Sequence, residues 1–300
     1  MIRTFHHRDA RASSLVERKG TRRISVCLPA RNEAATIGPI VAAIHAELVR
    51  STGLVDELVV IDDHSEDDTA AVAGAAGARV VRAADILPDL GLGPGKGQAL
   101  WKSLHVTDGD IVTWCDADIR QFDVRFVVGV LAPLLEHDDL GFVKGFYDRP
   151  IDHHDSGGGR VTELVARPLV SMLFPHLSPI VQPLAGEYGG RRDVLEQVPF
   201  AGGYGVELGL LIDIAARFGT LAIGQVDLGR RIHRNRPLDE LGPQAAAIMF
   251  TALQRADPGL AVEPAVLTRP GVEPAVIDHS QMPPVAQLDE RRAHTTYGIA

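Results

Sequence analysis

Covalent cross-linking has little to work with in this chain: its 300 residues include two cysteines, Cys27 and Cys115, both inside apolar, strand-like runs. That placement reads as two buried free thiols in a reducing compartment rather than a disulfide framework. No apolar run approaches the roughly 20 residues of a membrane span. Met1–Gly20 carries charges where a signal peptide would be apolar, so a cytoplasmic protein with no membrane partner is expected. Positive charge is also scarce. Thirty Lys and Arg against 39 Asp and Glu leave a formal charge of −9, which argues against nucleic acid or an anionic membrane as partner, since both are bound mainly by basic surface. An anionic small ligand must therefore meet a local basic cluster. Arg230-Arg231-Ile232-His233-Arg234-Asn235-Arg236 is such a cluster, with four arginines in seven residues.

What the chain does have is alternation. Apolar runs at Ile24–Leu28, Glu57–Ile61, Arg79–Val81, Asp110–Cys115, Gly141–Phe146 and Leu221–Val226 are separated by helical-length segments. That pattern predicts an α/β fold with a mostly parallel, Rossmann-like sheet flanked by helices. Between the first two strands, Ala34–Arg50 puts Ile37, Ile40, Val41, Ile44 and Leu48 on one helical stripe. Further helices are read at 68–76, 97–105, 124–136, 160–173, 192–197, 205–218 and 241–256. Weak periodicity at both ends predicts a flexible leader over 1–21 and a loosely docked or disordered tail over 257–300. The folded unit then divides into a nucleotide-binding half at 22–147 and an acceptor half at 148–256.

Polar motifs stand where the strands end, the edge at which open α/β sheets bind ligands. The first strand runs into Pro29-Ala30-Arg31-Asn32-Glu33, either a nucleotide contact or a turn in which Asn32 caps a helix. The second ends in Asp62-Asp63-His64-Ser65-Glu66-Asp67, suited to a ribose or a uracil edge and equally to capping the next helix. Asp116-Ala117-Asp118 follows the strand Ile111–Cys115. Two carboxylates one residue apart lie on the same side of an extended chain, and they repel unless a cation such as Mg²⁺ or Mn²⁺, held partly by substrate phosphates, neutralises them. Gly91-Leu92-Gly93-Pro94-Gly95-Lys96-Gly97 opens a helix and offers backbone amides and one lysine to a phosphate, but it lacks the hydroxyl residue of a P-loop. Gly157-Gly158-Gly159-Arg160-Val161-Thr162 is a second candidate anion site at a helix start, or a hinge. Glu207, after Gly202-Gly203-Tyr204-Gly205-Val206, either pairs with a helix dipole or grips sugar hydroxyls. In the basic cluster, Arg231 and Asn235 point the same way as His233 if the stretch is extended, and His233 is a candidate metal ligand.

Taken in order, these motifs resemble the actinobacterial glucosyl-3-phosphoglycerate synthases, retaining glycosyltransferases of the GT-A fold. The resemblance rests on Leu28–Glu33, Pro94–Gly97, the run from Gly158 to Leu169, Gly203–Glu207 and the run from His233 to Gly242, and it covers about residues 22–250. It implies transfer of glucose from UDP-glucose to 3-phosphoglycerate. Pro29, Ala30, Arg31, Asn32, Glu33, Lys96 and Ala117 would line the UDP site, with Asp63 beside the uracil and Asp116 on the donor. Asp118 and His233 would hold the metal. Gly159, Arg160, Val161, Thr162, Arg231 and Asn235 would take the phosphoglycerate, and Tyr204 and Glu207 would surround the sugar. Asp116, Asp118, Glu207 and Lys96 are the residues expected to carry catalysis, and a homodimer is a further expectation. Asp63, His64 and Asp148 make the strand ends more acidic than the family pattern. Competing readings are a GDP-mannose-dependent mannosyl-3-phosphoglycerate synthase, an inverting polyprenyl-phosphate glycosyltransferase and a non-catalytic nucleotide-sugar-binding module.

Overall fold

Residues such as Ile24–Ala30 and Ile111–Trp114 are almost wholly apolar and buried on both faces, which is the pattern of strands inside a sheet covered twice. In the computed structural model, which describes residues 1–151, 154–157, 159–232, 238–260 and 266–288, they lie in an eight-stranded sheet. Its members are β1 (Arg3–His6), β2 (Ile24–Ala30), β3 (Glu57–Asp62), β4 (Arg79–Arg82), β5 (Ile111–Trp114), β6 (Phe142–Asp148), β7 (Tyr188–Arg191) and β8 (Ile223–Arg230). The spatial order is β1-β8-β6-β7-β5-β2-β3-β4. All neighbours are parallel except β7, which runs antiparallel to both β5 and β6.

Two cores lie on opposite faces. One packs Trp101, Trp114, Tyr188 and Phe200 beneath α4 (Lys96–Leu104) and α8 (Val206–Phe218). The other packs Leu28, Ile40, Phe126 and Val143 beneath α2 (Ala34–Ile44) and α5 (Arg125–Glu136). The helix read over Ala34–Arg50 is present, its last turns His45–Ser51 being π-helical. Both cysteines are free and buried. Among the described residues no helix is long and apolar enough to cross a membrane.

Because β7 is reversed, its start lies at the same edge as the carboxyl ends of β2, β3, β5, β6 and β8. That single edge carries every strand-end motif. Nothing in the sequence marks β7 as a strand, since Gly189 and Gly190 dilute its apolar content.

Both termini depart from expectation. The leader is ordered: β1 pairs with β8 and covers what would otherwise be an open sheet edge. A helix over Ala12–Lys19 then buries Leu15 completely and sets Lys19 Nζ 2.7 Å from Asp56 Oδ2. The tail, as far as residue 288, is docked. Gln281–Met282 pairs with Phe200–Ala201, the Trp101 indole donates to the Pro283 carbonyl at 2.8 Å, and Met282 and Val285 are buried. The remainder of the tail, 289–300, lies outside the described residues. The sheet also draws strands from both sides of the boundary read at 147/148.

Leu15→Ala checks the leader. Removing a fully buried leucine at a site that cannot collapse should lower the unfolding free energy by about 2–4 kcal/mol, read from the urea midpoint at unchanged slope. A change within about 0.5 kcal/mol, the range of surface substitutions, would mean that the leader is dispensable.

Candidate active site

The strand ends enclose a cavity of about 620 Å³. Its first wall is the turn after β2. Pro29, Ala30, Arg31, Asn32 and Glu33 line it, with Asn32 at φ 57°. The neighbouring loop fixes that turn: the Asn32 amide donates to Ser65 Oγ at 3.1 Å, the Glu33 amide to Thr69 Oγ1 at 2.8 Å, and the Ala34 amide to Asp67 Oδ2 at 3.1 Å. The helix start is thus capped from across the sheet and not by Asn32, whose side-chain oxygen accepts the Glu66 amide instead. Asp63, at the end of β3, accepts the Gly95 amide at 2.9 Å and so ties the glycine loop before α4 to the same wall. Burial pushes the Asp63 carboxyl above its ordinary value, and its bonds to His64 and Gly95 work against that shift.

Lys96 begins α4 and points inward. Its Nζ lies 2.6 Å from Asp116 Oδ1 and 2.6 Å from Glu207 Oε1 at the start of α8. Gly97 lets this helix approach so closely that a Cβ there would stand 2.0 Å from the Ala201 carbonyl oxygen. Arg231, just past β8 and almost wholly buried, holds the other side: Nη2 is 2.9 Å from Asp116 Oδ2 and 2.7 Å from Asp118 Oδ1. Its Nη1 is 2.5 Å from the Tyr147 hydroxyl and 3.5 Å from Glu187 Oε2. Burial opposes ionisation of Asp116, yet Lys96 and Arg231 together hold its carboxyl well below the usual carboxylate range. Glu187, fully buried, is pushed upward by desolvation, and its Oε1 has no hydrogen-bond partner. Four carboxylates therefore surround two cations at ion-pair distance, and Arg149 and the buried Lys144 lie close enough to act on the same group.

Gly159, Arg160, Val161, Thr162 and Tyr204 line the same cavity. The cavity thus gathers all of Pro29, Ala30, Arg31, Asn32, Glu33, Asp63, Lys96, Asp116, Ala117, Asp118, Gly159, Arg160, Val161, Thr162, Tyr204, Glu207 and Arg231. His233 and Asn235, and Gly158 of the glycine run, lie outside the described residues. Among the described residues no group of three or more His, Cys, Asp or Glu side chains forms a metal cluster. Ile232, the last described residue before His233, accepts the Arg120 amide at 3.3 Å, two residues beyond Asp118.

Sequence reasoning missed several contributors. Tyr147 and Glu187 anchor Arg231, Arg149 lines the cavity near Gly159, and Ile277 and Asp278 of the tail also line it. Glu187 had one readable signal, its place between Gly186 and Gly189. At Gly186 a Cβ would stand 2.0 Å from Asp116 Oδ2, so a side chain there would displace the carboxylate that the two cations hold.

The chain is similar to known glycosyltransferases. The family model described as Glycosyl transferase family 2 matches residues 25–156. A glucosyl-3-phosphoglycerate synthase of Petrotoga mobilis is 48% identical over 260 residues, covering 84% of this chain and 80% of the relative. One of Mycobacterium tuberculosis is 49% identical over 259 residues, covering 84% and 79%. The crystal structure of the M. tuberculosis enzyme with Mn²⁺, UDP-glucose and phosphoglyceric acid superposes with a TM-score of 0.88 at 44% identity, covering 96% of this chain and 99% of that one. The same enzyme with Mg²⁺ and UDP gives a TM-score of 0.86 at 44% identity, again covering 96% and 99%.

Lys96→Met would leave Glu207 without a cation at ion-pair distance and Asp116 with Arg231 alone. The cost should be on the order of 2–3 kcal/mol, less than for a fully buried pair, because Lys96 and Asp116 keep 19% and 20% of their side-chain surface in solvent. Asp116 is depressed in the folded state, so its contribution is complete above its unfolded value of about 3.9 and is lost as pH falls below that. The deficit of the variant should therefore be largest near pH 7 and shrink below about pH 4. A deficit independent of pH in urea titrations would show that the loss is one of packing.

Proposed function

Since the chain belongs to the glucosyl-3-phosphoglycerate synthase family, with the GT-A fold, we propose that it transfers glucose from UDP-glucose to 3-phosphoglycerate with retention of the α configuration. The observation that carries this reading is the shared cavity. Residues suited to a nucleotide, Gly159–Thr162 suited to an anion, and the paired carboxylates Asp116 and Asp118 all line it. The structures of the M. tuberculosis relative hold Mn²⁺ with UDP-glucose and phosphoglyceric acid, and Mg²⁺ with UDP.

The residues present fit a divalent cation. Asp118 spends Oδ1 on Arg231, and no hydrogen bond among the described residues reaches its Oδ2, which leaves that oxygen for a cation. Asp118 and His233 would hold the ion, and when bound it would neutralise the departing diphosphate. Lys96 adds a fixed positive charge beside that diphosphate, Arg31 and Asp63 flank the base, and Tyr204 and Glu207 hold the sugar. Arg160, Thr162 and the amides of Gly159 and Val161 take the acceptor phosphate, aided by Asn235.

The state of the carboxylates supports a retaining transfer that proceeds without a covalent glycosyl-enzyme. A double displacement needs a free carboxylate under the anomeric carbon. Each of the six carboxylates lining the cavity already accepts a hydrogen bond or ion pair: Glu33 from Thr36, Asp63 from Gly95, Asp116 and Glu207 from Lys96, Asp118 from Arg231 and Asp278 from Gln98. Attack from the front face, with the departing phosphate oxygen taking the acceptor proton, requires no protein base. The division at 147/148 into donor and acceptor halves, the cytoplasmic location argued from two buried free thiols and a homodimer belong to the same proposal.

Nucleotide release by the purified protein, measured over a panel of UDP- and GDP-sugars, tests the reading. UDP-glucose should release nucleotide only when 3-phosphoglycerate is present, and a preference for GDP-mannose would refute the donor. Asp118→Ala should lower kcat by about two decades or more, and full activity in excess chelator would contradict a metal role. Arg160→Ala should raise the KM for 3-phosphoglycerate about tenfold or more, as loss of a charge-assisted bond does, with little change for UDP-glucose. Equal effects on both substrates would mean that the anion site is misassigned.

A further inference from the structure

A phosphorylated hydroxy acid carries two anionic groups, and the acceptor wall as read so far answers only one of them. Of the cations lining the cavity, Lys96 and Arg231 are committed to Asp116, Asp118 and Glu207. Arg149 is not. No carboxylate among the described residues lies within ion-pair distance of it. Its Nε is buried with no hydrogen-bond partner, a state that ordinarily costs free energy unless something arrives to accept from it.

The guanidinium is nonetheless held firmly. Arg149 Nη2 donates to the Tyr147 hydroxyl at 2.8 Å, and its Cζ lies 4.9 Å from the centre of the Tyr147 ring. The same hydroxyl receives Arg231 Nη1 at 2.5 Å, so one phenol oxygen ties the acceptor-side arginine to the one that holds Asp116 and Asp118. On its other flank, Arg149 Nη1 would lie 3.9 Å from a Cβ placed on Gly159, which puts the fork against the start of the anion loop.

We propose that Arg149 is an acceptor-binding residue, taking the carboxylate of the phosphorylated hydroxy acid while Arg160 takes its phosphate. The inference rests on the acceptor reading above. A guanidinium offers five donors in a plane, so with one Nη2 hydrogen spent on Tyr147 it still presents the unpaired Nε–H, the second Nη2 hydrogen and both hydrogens of Nη1 to a carboxylate. A site built this way selects acceptors that carry an acid beside the hydroxyl, because a ligand without it leaves buried donors unpaired.

The test compares 3-phosphoglycerate with glycerol 3-phosphate, which has the same phosphate and a hydroxymethyl group in place of the carboxylate. In Arg149→Met the KM for 3-phosphoglycerate should rise about tenfold or more, with kcat changing less and the KM for UDP-glucose changing under about twofold. The inhibition constant of glycerol 3-phosphate should change under about threefold, so that the variant no longer distinguishes the two compounds. Arg149→Lys, which keeps a charge but not the fork, should fall between. It also supplies the comparison if the methionine variant does not fold. An unchanged KM for 3-phosphoglycerate, or equal weakening of both compounds, would overturn the role of Arg149 while leaving the proposed reaction standing. Failure of the unaltered protein to use 3-phosphoglycerate would overturn both.

Discussion

Arg231 and Lys96 lie among Asp116, Asp118, Glu187 and Glu207, and the arrangement of the whole cavity follows from how those charges are balanced. Each cation spans two or more carboxylates that come from different strands and helices. Removing one would leave buried like charges facing each other, which is far more costly than never having placed them there. The arrangement is therefore better understood as fixing geometry than as adding stability. It holds Asp116 ionised and oriented, it leaves an oxygen of Asp118 open to a cation, and it keeps Glu207 turned toward the cavity.

The fold delivers these groups to one place through a single irregularity. In a purely parallel sheet the centre between β5 and β6 would carry another carboxyl end and its crossover helix. The reversed strand β7 instead starts there, bringing Gly186 and Glu187 directly beneath Asp116 and Arg231. Tyr147, at the end of β6, then closes the floor by accepting both Arg231 and Arg149. Donor and acceptor walls thus share one polar floor, so a change on one wall reaches the other through named hydrogen bonds.

Much of this was legible in the residues. The six apolar runs gave strands because buried parallel strands have no polar alternation to confuse the reading, and the strand-end motifs then had to converge on one edge. Tyr188–Arg191 escaped because two of its four residues are glycine, and its register is set by neighbours far away in the chain. The leader escaped for a related reason. Arg3–His6 is four residues long and gains its place only because β8 offers an unpaired edge. Glu187, Tyr147 and Arg149 were invisible as site residues since each lies alone in sequence. Burial and distance, not spacing, make them partners of Arg231 and of one another.

The account as a whole depends on an acid acceptor meeting an α-linked sugar donor in one cavity. Proton NMR of the product formed early in a reaction of the purified protein with UDP-glucose, 3-phosphoglycerate and Mg²⁺ tests that most directly. An α-anomeric glucosyl signal appearing together with UDP is the result the account predicts. A β-linked product would contradict it.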